Sequence, residues 1–140
     1  MKYVLDTNAV SALMKGDANV VAHLKRVARA DVSLPQPVVA EISYGIERLP
    51  KSKRRDALAS RFELLKTELG RAGWTDEVSD IFGRIKAGLE RKGERIEDFD
   101  AAVAAHALAM GCVLVTANIK HMTRVPGLEI EDWSESPDSR

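Results

Sequence analysis

Short apolar runs alternate along the chain with longer segments that carry apolar side chains at helical spacing, and this alternation is the strongest constraint on the fold. The strand-like runs are Tyr3–Leu5, Val32–Leu34, Val113–Val115 and Leu128–Ile130. Because helical segments separate them, the strands are joined by crossovers, which favours a parallel sheet between helical layers. We therefore predict a three-layer α/β/α fold with a central, mainly parallel sheet of short strands.

Six helices are predicted from the helical spacing and from residues that begin or end helices. The first contains Val10–Met14 and stops at Gly16, the second covers Ala18–Ala30, the third runs from Pro37 to Pro50, the fourth covers Lys51–Leu69, the fifth contains Val78–Leu89 and ends near Gly93, and the sixth covers Asp98–Met110. Gly70 and Gly73 break the pattern between the fourth and fifth helices.

The length is consistent with one domain that has its own core. A chain of 140 residues with 45% hydrophobic residues can bury most of the apolar surface that it exposes when unfolded. We assign residues 1–133 to this domain and expect Trp133 to pack behind the last strand. Residues 134–140 are predicted to form a polar, frayed tail.

Basic and acidic residues are equal in number, 21 of each. A protein that coats nucleic acid through charge alone is normally basic, so the balance argues against extensive non-specific binding. Bound cations can still supply positive charge at one site. A nuclease with a local site therefore remains compatible with the composition.

The single cysteine, Cys112, lies in an apolar run and is predicted to be a buried core residue. A lone cysteine also fits a reducing cytosol. The chain begins with a strand, and its sequence has neither a signal-peptide pattern nor an apolar run of ~20 residues. We expect a cytoplasmic protein without membrane contact.

Polar side chains follow two of the predicted strands, at the point where each strand ends. Asp6 and Asn8 come after the first strand, and Thr116 and Asn118 come after the strand at residues 113–115. Ligands of open α/β sheets bind outside the carboxyl ends of the strands. These four residues are therefore candidates for a functional site.

Three further acids could complete this site. Asp98 and Asp100 begin the sixth helix, and Glu41 lies on the third. Clustered carboxylates repel one another unless they are protonated or bind a cation, and their hard oxygens select Mg²⁺ or Mn²⁺. Such ions activate water and stabilise the charge that develops during phosphodiester hydrolysis.

Simpler explanations exist for most of these residues. Asp6 could only cap the first helix, although Thr7 and Asn8 are also suitable caps. Glu41 could be a solvated helix residue, although it lies on an otherwise apolar turn. These alternatives are open at the level of sequence.

The same holds at the other strand end and on the sixth helix. Asp98 could be a helix cap, Asp100 could be favoured by the helix dipole alone, and the Thr116 hydroxyl could bond to backbone. The three histidines, at positions 23, 106 and 121, have no spacing that suggests a zinc site, and structural or surface roles are expected.

A basic run opens the fourth helix and consists of Lys51, Lys53, Arg54 and Arg55. Most runs of this kind are solvated helix faces. The functional alternative is a rim that contacts phosphate groups.

Five motifs, taken in order, resemble those of PIN-domain ribonucleases, in particular the VapC and FitB toxins of type II toxin–antitoxin pairs. They are Tyr3–Asn8, Val39–Ile46, Asp98–Leu108, Leu114–Asn118 and Arg124–Leu128. The segment Glu47–Arg55 is also similar to the one that follows the second motif in FitB-like members, and the resemblance extends to Trp133. It thus covers nearly the whole chain.

The resemblance implies a PIN-like fold and a Mg²⁺- or Mn²⁺-dependent endoribonuclease. By position in the motifs, Asp6 and Asp100 would hold the metal directly, and Glu41 would complete the site directly or through water. Asp98 is an auxiliary candidate, and Thr116 would orient water or a carboxylate. Asn8 and Asn118 are further auxiliary candidates.

The resemblance also implies partners. A cognate antitoxin would fill the active-site groove with its tail and bind operator DNA with its other end. A homodimer is expected, with a heterotetramer or larger assembly when the antitoxin is bound. Many family members have a fourth acid after the last strand motif, whereas Asn118 and His121 occupy the corresponding positions here. A single Mg²⁺ held by three carboxylates is therefore favoured over two metals.

Two other functions are compatible with parts of the sequence. A phosphotransfer enzyme or receiver domain would use Asp6 as nucleophile or ligand and Thr116 with Lys120 for phosphate. The second acid that a phosphatase of the haloacid dehalogenase kind needs is absent, since position 8 is Asn, and no acidic pair follows the first strand as in receivers. The other alternative is a PIN fold that binds a partner or RNA without catalysis.

Overall fold

The computed structural model describes residues 2–138, and all strands in this range run parallel in one sheet. The strands are β1 (Tyr3–Leu5), β2 (Val32–Pro35), β3 (Gly70–Ala72), β4 (Val113–Val115) and β5 (Ile130–Glu131). Their order is β3-β2-β1-β4-β5, which places β1 at the centre. Val4 of β1 pairs with Ser33 of β2 on one side and with Leu114 of β4 on the other.

Helices connect these strands and confirm the predicted α/β fold. They are α1 (Thr7–Met14), α2 (Ala18–Lys25), α3 (Gln36–Glu47), α4 (Lys53–Glu68), α5 (Asp76–Arg91), α6 (Asp98–Met110) and α7 (Ile119–Met122), with a short 3-10 turn at Arg29–Asp31. The second predicted helix thus ends at Lys25, five residues before Ala30. No helix among residues 2–138 is long and apolar enough to cross a membrane.

Two elements lie where the sequence signal is weak. Strand β3 falls on the Gly70–Ala72 segment and pairs with β2 at the edge of the sheet. Its Gly and Arg carry no strand preference, so pairing with a buried neighbour decides its conformation. Helix α7 is a single turn of four residues, too short for a periodic pattern. The last strand is also shifted, to Ile130–Glu131 from the predicted Leu128–Ile130.

Helix α6 is buried on nearly all sides because most of its side chains are small. The side chains from Ala101 to Ala107 are all buried, and the helix packs against α5, β1 and β4. The small side chains allow this close approach between layers. Asp100 sits in the first turn of α6 and is thereby held near the carboxyl ends of β1 and β4.

The predicted burial of Cys112 is confirmed, and so is that of Trp133, which is 2% exposed. The Trp133 ring stacks on His23 of α2 with centroids 5.4 Å apart and also contacts Tyr3. Its Nε1 donates to the Glu131 carboxylate at 3.0 Å.

The segment that follows Trp133, which we predict to be a polar, frayed tail, contacts α2 within residues 134–138. Asn19 Nδ2 donates to the carbonyl oxygen of Ser134 at 2.8 Å, and Arg26 pairs with Asp138 at 2.7 Å. Residues 139 and 140, which the prediction also included, lie outside the described residues.

Candidate active site

Asp6 lies where β1 ends and α1 begins, and it is only 7% exposed. Its backbone N–H donates to the Val115 carbonyl at 3.1 Å, which ties it to the end of β4. Its Oδ1 accepts from the Ala9 N–H at 2.8 Å and caps α1. The capping explanation is therefore correct, but capping alone does not account for the other groups around this carboxylate.

Burial raises the pKa of Asp6, and the negative charges of Asp100 and Glu41 raise it further. Hydrogen bonds from the Thr116 hydroxyl and the Ala9 N–H offset part of this shift, because they stabilise the ionised carboxylate. Asp6, Glu41 and Asp100, which are far apart in sequence, thus lie within electrostatic range of one another.

The pKa of Asp100 is also raised, first by burial and then by the charges of Glu41 and Glu97. The nearby His121 lowers it. Asp100 is half-buried in the first turn of α6. The helix dipole alone does not explain a carboxylate that is surrounded by other acids, since these raise the free energy of its ionised form.

Glu41 projects from α3 and is half-buried. Its Oε1 accepts a hydrogen bond of 2.6 Å from the hydroxyl of Thr7, the residue that follows Asp6. Glu41 is therefore not a free solvated side chain. The role of Thr7 as its partner is not evident in sequence, because the two residues are 34 positions apart.

Thr116 is buried at the end of β4 and takes part in two interactions. Its Oγ1 accepts from the backbone N–H of Asn118 at 2.9 Å, and its hydroxyl stabilises the Asp6 carboxylate. The Asn118 Oδ1 lies 2.7 Å from Nδ1 of His121. Asn118 thus orients a histidine.

Asp98 and Asn8, two of the auxiliary candidates, have other surroundings. Asp98 is an exposed residue in the first turn of α6, and it pairs with Lys86 of α5 at 2.8 Å. Glu97, rather than Asp98, occupies the N-cap position. Asn8 is exposed and borders a small cavity of about 100 Å³ beside Trp133.

Two clefts flank the carboxylates. The cleft next to Asp100, which we call the Asp100-side cleft, has a volume of about 540 Å³, and its lining includes Lys86, Arg95, Asp98, Asn118, His121 and Arg124. The cleft next to Glu41, the Glu41-side cleft, has a volume of about 260 Å³, and its lining includes Thr7, Met14, Ile42, Leu49, Arg54 and Leu58.

The basic run at the start of α4 lies partly in the Glu41-side cleft. Arg54 lines this cleft, whereas Arg55 pairs with Glu47 at 2.9 Å and donates to the Ile46 carbonyl. Lys51 and Lys53 are exposed. Only Arg54 of the four is therefore placed beside the carboxylates by the cleft geometry.

The histidines separate into structural residues and one site residue. His106 is fully buried in α6, where its Nδ1 lies 2.8 Å from the Ala102 carbonyl oxygen, and His23 stacks on Trp133. His121 is exposed in the Asp100-side cleft. Its place beside Asp100 follows from the turn after β4, and the sequence gives no separate signal for it.

The oxygen donors fit a hydrated Mg²⁺ or Mn²⁺. Mg²⁺ keeps several waters and commonly takes only one or two protein carboxylates. Within residues 2–138, no three His, Cys, Asp or Glu side chains are grouped so that they could hold a metal ion together, so any ion here would depend on water for most of its ligands. The pKa values of the buried Asp6 and the half-buried Asp100 are raised first by burial and then by neighbouring acids, and these carboxylates are suited to an ion that completes its shell with water.

Comparisons with known proteins agree with this architecture. The chain is 31% identical to the ribonuclease VapC2 of Rickettsia felis over 137 residues, which cover 96% of this chain and 100% of that protein. It is 30% identical to the tRNA(fMet)-specific endonuclease VapC of Salmonella typhimurium, with coverage of 95% and 98%.

A solved structure shows the same fold. The VapBC2 complex of Rickettsia felis, bound to a DNA fragment from its promoter, contains a chain that superposes with a TM-score of 0.85 at 29% identity and covers 95% of this chain and 99% of that one. The family model of the PIN domain matches residues 3–128, a range that contains every residue of the carboxylate cluster. The chain therefore belongs to the PIN-domain family.

Proposed function

We propose that this protein is a divalent-metal-dependent endoribonuclease and the toxin of a toxin–antitoxin pair, acting in the cytoplasm. The observation that carries the proposal is the electrostatic coupling of Asp6, Glu41 and Asp100 at the carboxyl ends of β1 and β4. Its similarity to proteins named VapC ribonucleases supports RNA as the substrate.

The residues have distinct tasks in this proposal. Asp6 and Asp100 hold Mg²⁺ or Mn²⁺, and Glu41 completes the site directly or through water. When bound, the ion supplies a water of lowered pKa and positive charge for the phosphodiester. Thr116 holds the Asp6 carboxylate by its hydroxyl, and Thr7 does the same for Glu41 at 2.6 Å. These hydroxyls limit rotation of the carboxylates before substrate arrives.

The antitoxin partner is proposed from the same relatives. The solved VapBC2 structure contains a DNA fragment from its promoter, and we propose that this protein likewise contacts operator DNA through its antitoxin. The apolar side chains of the Glu41-side cleft, among them Ile42 and Leu58, fit the peptide tail of such a partner. A homodimer, and a heterotetramer or larger assembly with the antitoxin, are proposed as well.

The decisive experiment measures RNA cleavage by the purified chain without a partner. Initiator tRNA is the first substrate to test, because one relative is named for it. We expect cleavage with Mg²⁺ that stops when EDTA removes the ion, and loss of cleavage in Asp6→Asn. Asn keeps an Oδ1 that can accept from the Ala9 N–H, so the helix cap is retained.

A matched control exists in the neighbouring helix. Asp17 also caps a helix through Oδ1, which accepts from the N–H groups of Asn19 and Val20 at 3.1 Å. Asp17→Asn should leave cleavage unchanged. If Asp6→Asn and the wild type cleave equally, the nuclease proposal is wrong. RNA binding without cleavage by the wild type would instead identify a non-catalytic binding protein.

A further inference from the structure

His121 lies in the Asp100-side cleft with its ring held in one orientation. Its Nδ1 is 2.7 Å from Oδ1 of Asn118. A carboxamide oxygen only accepts hydrogen bonds, so Nδ1 carries the proton and donates. The other ring nitrogen, Nε2, is then available to a ligand, because the side chain is exposed.

This imidazole is close enough to the carboxylate cluster to affect it. The charge of His121 lowers the pKa of Asp100, whereas every other charge that acts on this carboxyl raises it. His121 therefore lies within electrostatic range of the acid that we propose as a metal ligand. A substrate held at Asp100 would lie within reach of its ring.

A second cationic group borders the same cleft. Arg95 is exposed, and it forms no ion pair with a carboxylate in the described part of the chain. Asp98 raises the pKa of Lys86, and the positive charge of Arg95 opposes this shift. Arg95 thus faces another cation and has no acidic partner of its own, which is an arrangement that an anion would stabilise.

Arg124 holds the two segments that carry these groups. Its Nε donates to the His121 carbonyl oxygen at 3.2 Å, and its Nη2 donates to the Arg95 carbonyl oxygen at 2.8 Å. The turn that carries His121 is thereby linked to the loop that carries Arg95. The cationic edge of the cleft is preorganised in the free protein.

The net charge of the cleft would depend on whether a metal is bound at Asp100. Its lining carries three permanent cations and four carboxylates, so that one negative charge is in excess when His121 is neutral. Lys86 neutralises Asp98 at 2.8 Å. A divalent ion at Asp100 would convert the excess to one positive charge, and phosphate binding in the cleft would then be favourable.

We propose that His121 and Arg95 bind a backbone phosphate of the RNA strand, adjacent to the phosphate that is cleaved. Asn118 and Arg124 are positioning residues, which act through His121 and Arg95. The inference rests on the proposed ribonuclease function. An RNA strand is favoured over an acidic peptide because its regularly spaced phosphates would reach the metal site and this cleft together.

The first test is steady-state cleavage of initiator tRNA. We expect His121→Ala to raise KM about three- to tenfold with a smaller change in kcat, as for loss of one partly exposed charged contact. His121→Arg should restore most of the affinity because it keeps a cationic donor. His121→Glu should raise KM more than His121→Ala, since it repels phosphate.

The salt dependence and the positioning residues provide readouts that a general loss of structure would not reproduce. His121→Ala should reduce the slope of log affinity against log salt by about one phosphate contact. Asn118→Ala should raise KM, but it should add little in a His121→Ala background, since it acts through the same imidazole. Lys25→Ala, which removes an exposed cation from α2, is the matched control and should change neither quantity.

Binding measured separately from cleavage distinguishes this inference from the proposed function. We would titrate labelled tRNA with protein in Ca²⁺, and check on a gel that the RNA is intact. If the wild type neither binds nor cleaves RNA, the ribonuclease function is wrong. If it cleaves, but His121→Ala and His121→Glu have the KM and salt slope of the wild type, the phosphate site is wrong and the ribonuclease stands.

Two further outcomes would overturn the phosphate site. A higher affinity of His121→Glu for Mg²⁺, with unchanged RNA binding, would show that position 121 belongs to the metal site. Unchanged RNA binding together with lost inhibition by the antitoxin in His121→Ala would show that the cleft binds an acidic peptide. Weaker binding in both His121→Ala and Arg95→Ala, with recovery in Arg95→Lys, would support the inference.

Discussion

The Asp100-side and Glu41-side clefts each border a different carboxylate of the cluster, and they also differ in size and in the rest of their lining. The Asp100-side cleft is about twice as large, and most of its lining is charged. The Glu41-side cleft carries five large apolar side chains among its polar ones, and they are Met14, Ile42, Ile46, Leu49 and Leu58. One side is suited to the phosphates of a polyanion and the other to the side chains of a peptide.

This difference follows from which elements form each wall. The Glu41-side cleft lies between α1, α3 and the start of α4, where the helices present their apolar stripes at an incompletely filled junction. The Asp100-side cleft is built from the ends of α5 and α6 with α7, where charged residues and caps are concentrated. We therefore expect that mutations can affect the proposed substrate and the proposed inhibitor separately.

The largest effect is expected at Asp100, the proposed metal ligand that lines the Asp100-side cleft. Asp100→Asn should reduce cleavage at least 10²–10³-fold, because it removes a proposed metal ligand and a charge that acts in the transition state. Single-turnover cleavage of initiator tRNA measures this loss. A comparable loss in Asp98→Asn would show that Asp98 is as important for cleavage as Asp100, and it would contradict this expectation.

The second-largest effect is expected in the Glu41-side cleft, which we propose binds the antitoxin peptide. Leu58→Asn should weaken inhibition by the cognate antitoxin about tenfold, as expected when one apolar anchor is lost from an interface, and should leave cleavage by the free toxin near the wild-type rate. Titration of cleavage with antitoxin measures this change. His121→Ala should show the reverse pattern. The same pattern in both variants would show that the two clefts are not functionally distinct.

The third carboxylate, the buried Asp6, is tested by its effect on stability. The folded-state pKa of Asp6 is raised, so its ionisation opposes folding as pH rises from below the unfolded-state value through the folded-state value. Asp6→Asn should therefore stabilise the metal-free protein at neutral pH, with no gain at a pH where Asp6 is protonated in both states. Urea unfolding at both pH values measures this difference.

A second substitution at the same position separates charge from capping. Asp6→Ala removes the acceptor of the Ala9 N–H as well as the charge, which costs about 1 kcal/mol relative to Asp6→Asn. If Asp6→Asn destabilises the protein at neutral pH as much as Asp6→Ala does, the fold does not raise the free energy of the ionised Asp6 carboxylate.

The smallest effect is expected at the Thr7–Glu41 contact in the wall of the Glu41-side cleft. Thr7→Val removes the 2.6 Å bond while keeping a similar shape, and we expect a three- to tenfold loss of cleavage from loss of about 1 kcal/mol of hydrogen bonding. Thr7→Ser retains the hydroxyl and should remain near wild type. Equal rates for Thr7→Val and Thr7→Ser would show that this contact does not position Glu41.

The elements and residues that local patterns determine were predictable. Strands β1, β2 and β4 are buried apolar runs, and Asp6 follows β1 at a recognisable cap. The edge strand β3 and the single turn α7 were not, because their conformations depend on pairing and packing with distant parts of the chain.

The candidate site also has parts that could be predicted from the sequence and parts that could not. The motifs around Asp6, Glu41 and Asp100 indicated the carboxylates, but the partners of those carboxylates depend on three-dimensional contacts. Thr7 reaches Glu41 across 34 positions, and His121 approaches Asp100 only because α7 turns after β4. The ordering of residues 134–138 depends similarly on the surface of α2.

The alanines of α6 have a consequence for how this enzyme can be engineered. Ala101, Ala104 and Ala105 are fully buried, so a larger side chain there has no free volume and must shift the helix against the elements that it packs on. Asp100 would move with it, and displacements of a fraction of an ångström are sufficient to slow a positioned reaction. The packing of α6 would thus affect the rate of cleavage. Substitutions far from any RNA could attenuate the toxin without altering the surfaces that RNA or antitoxin would touch.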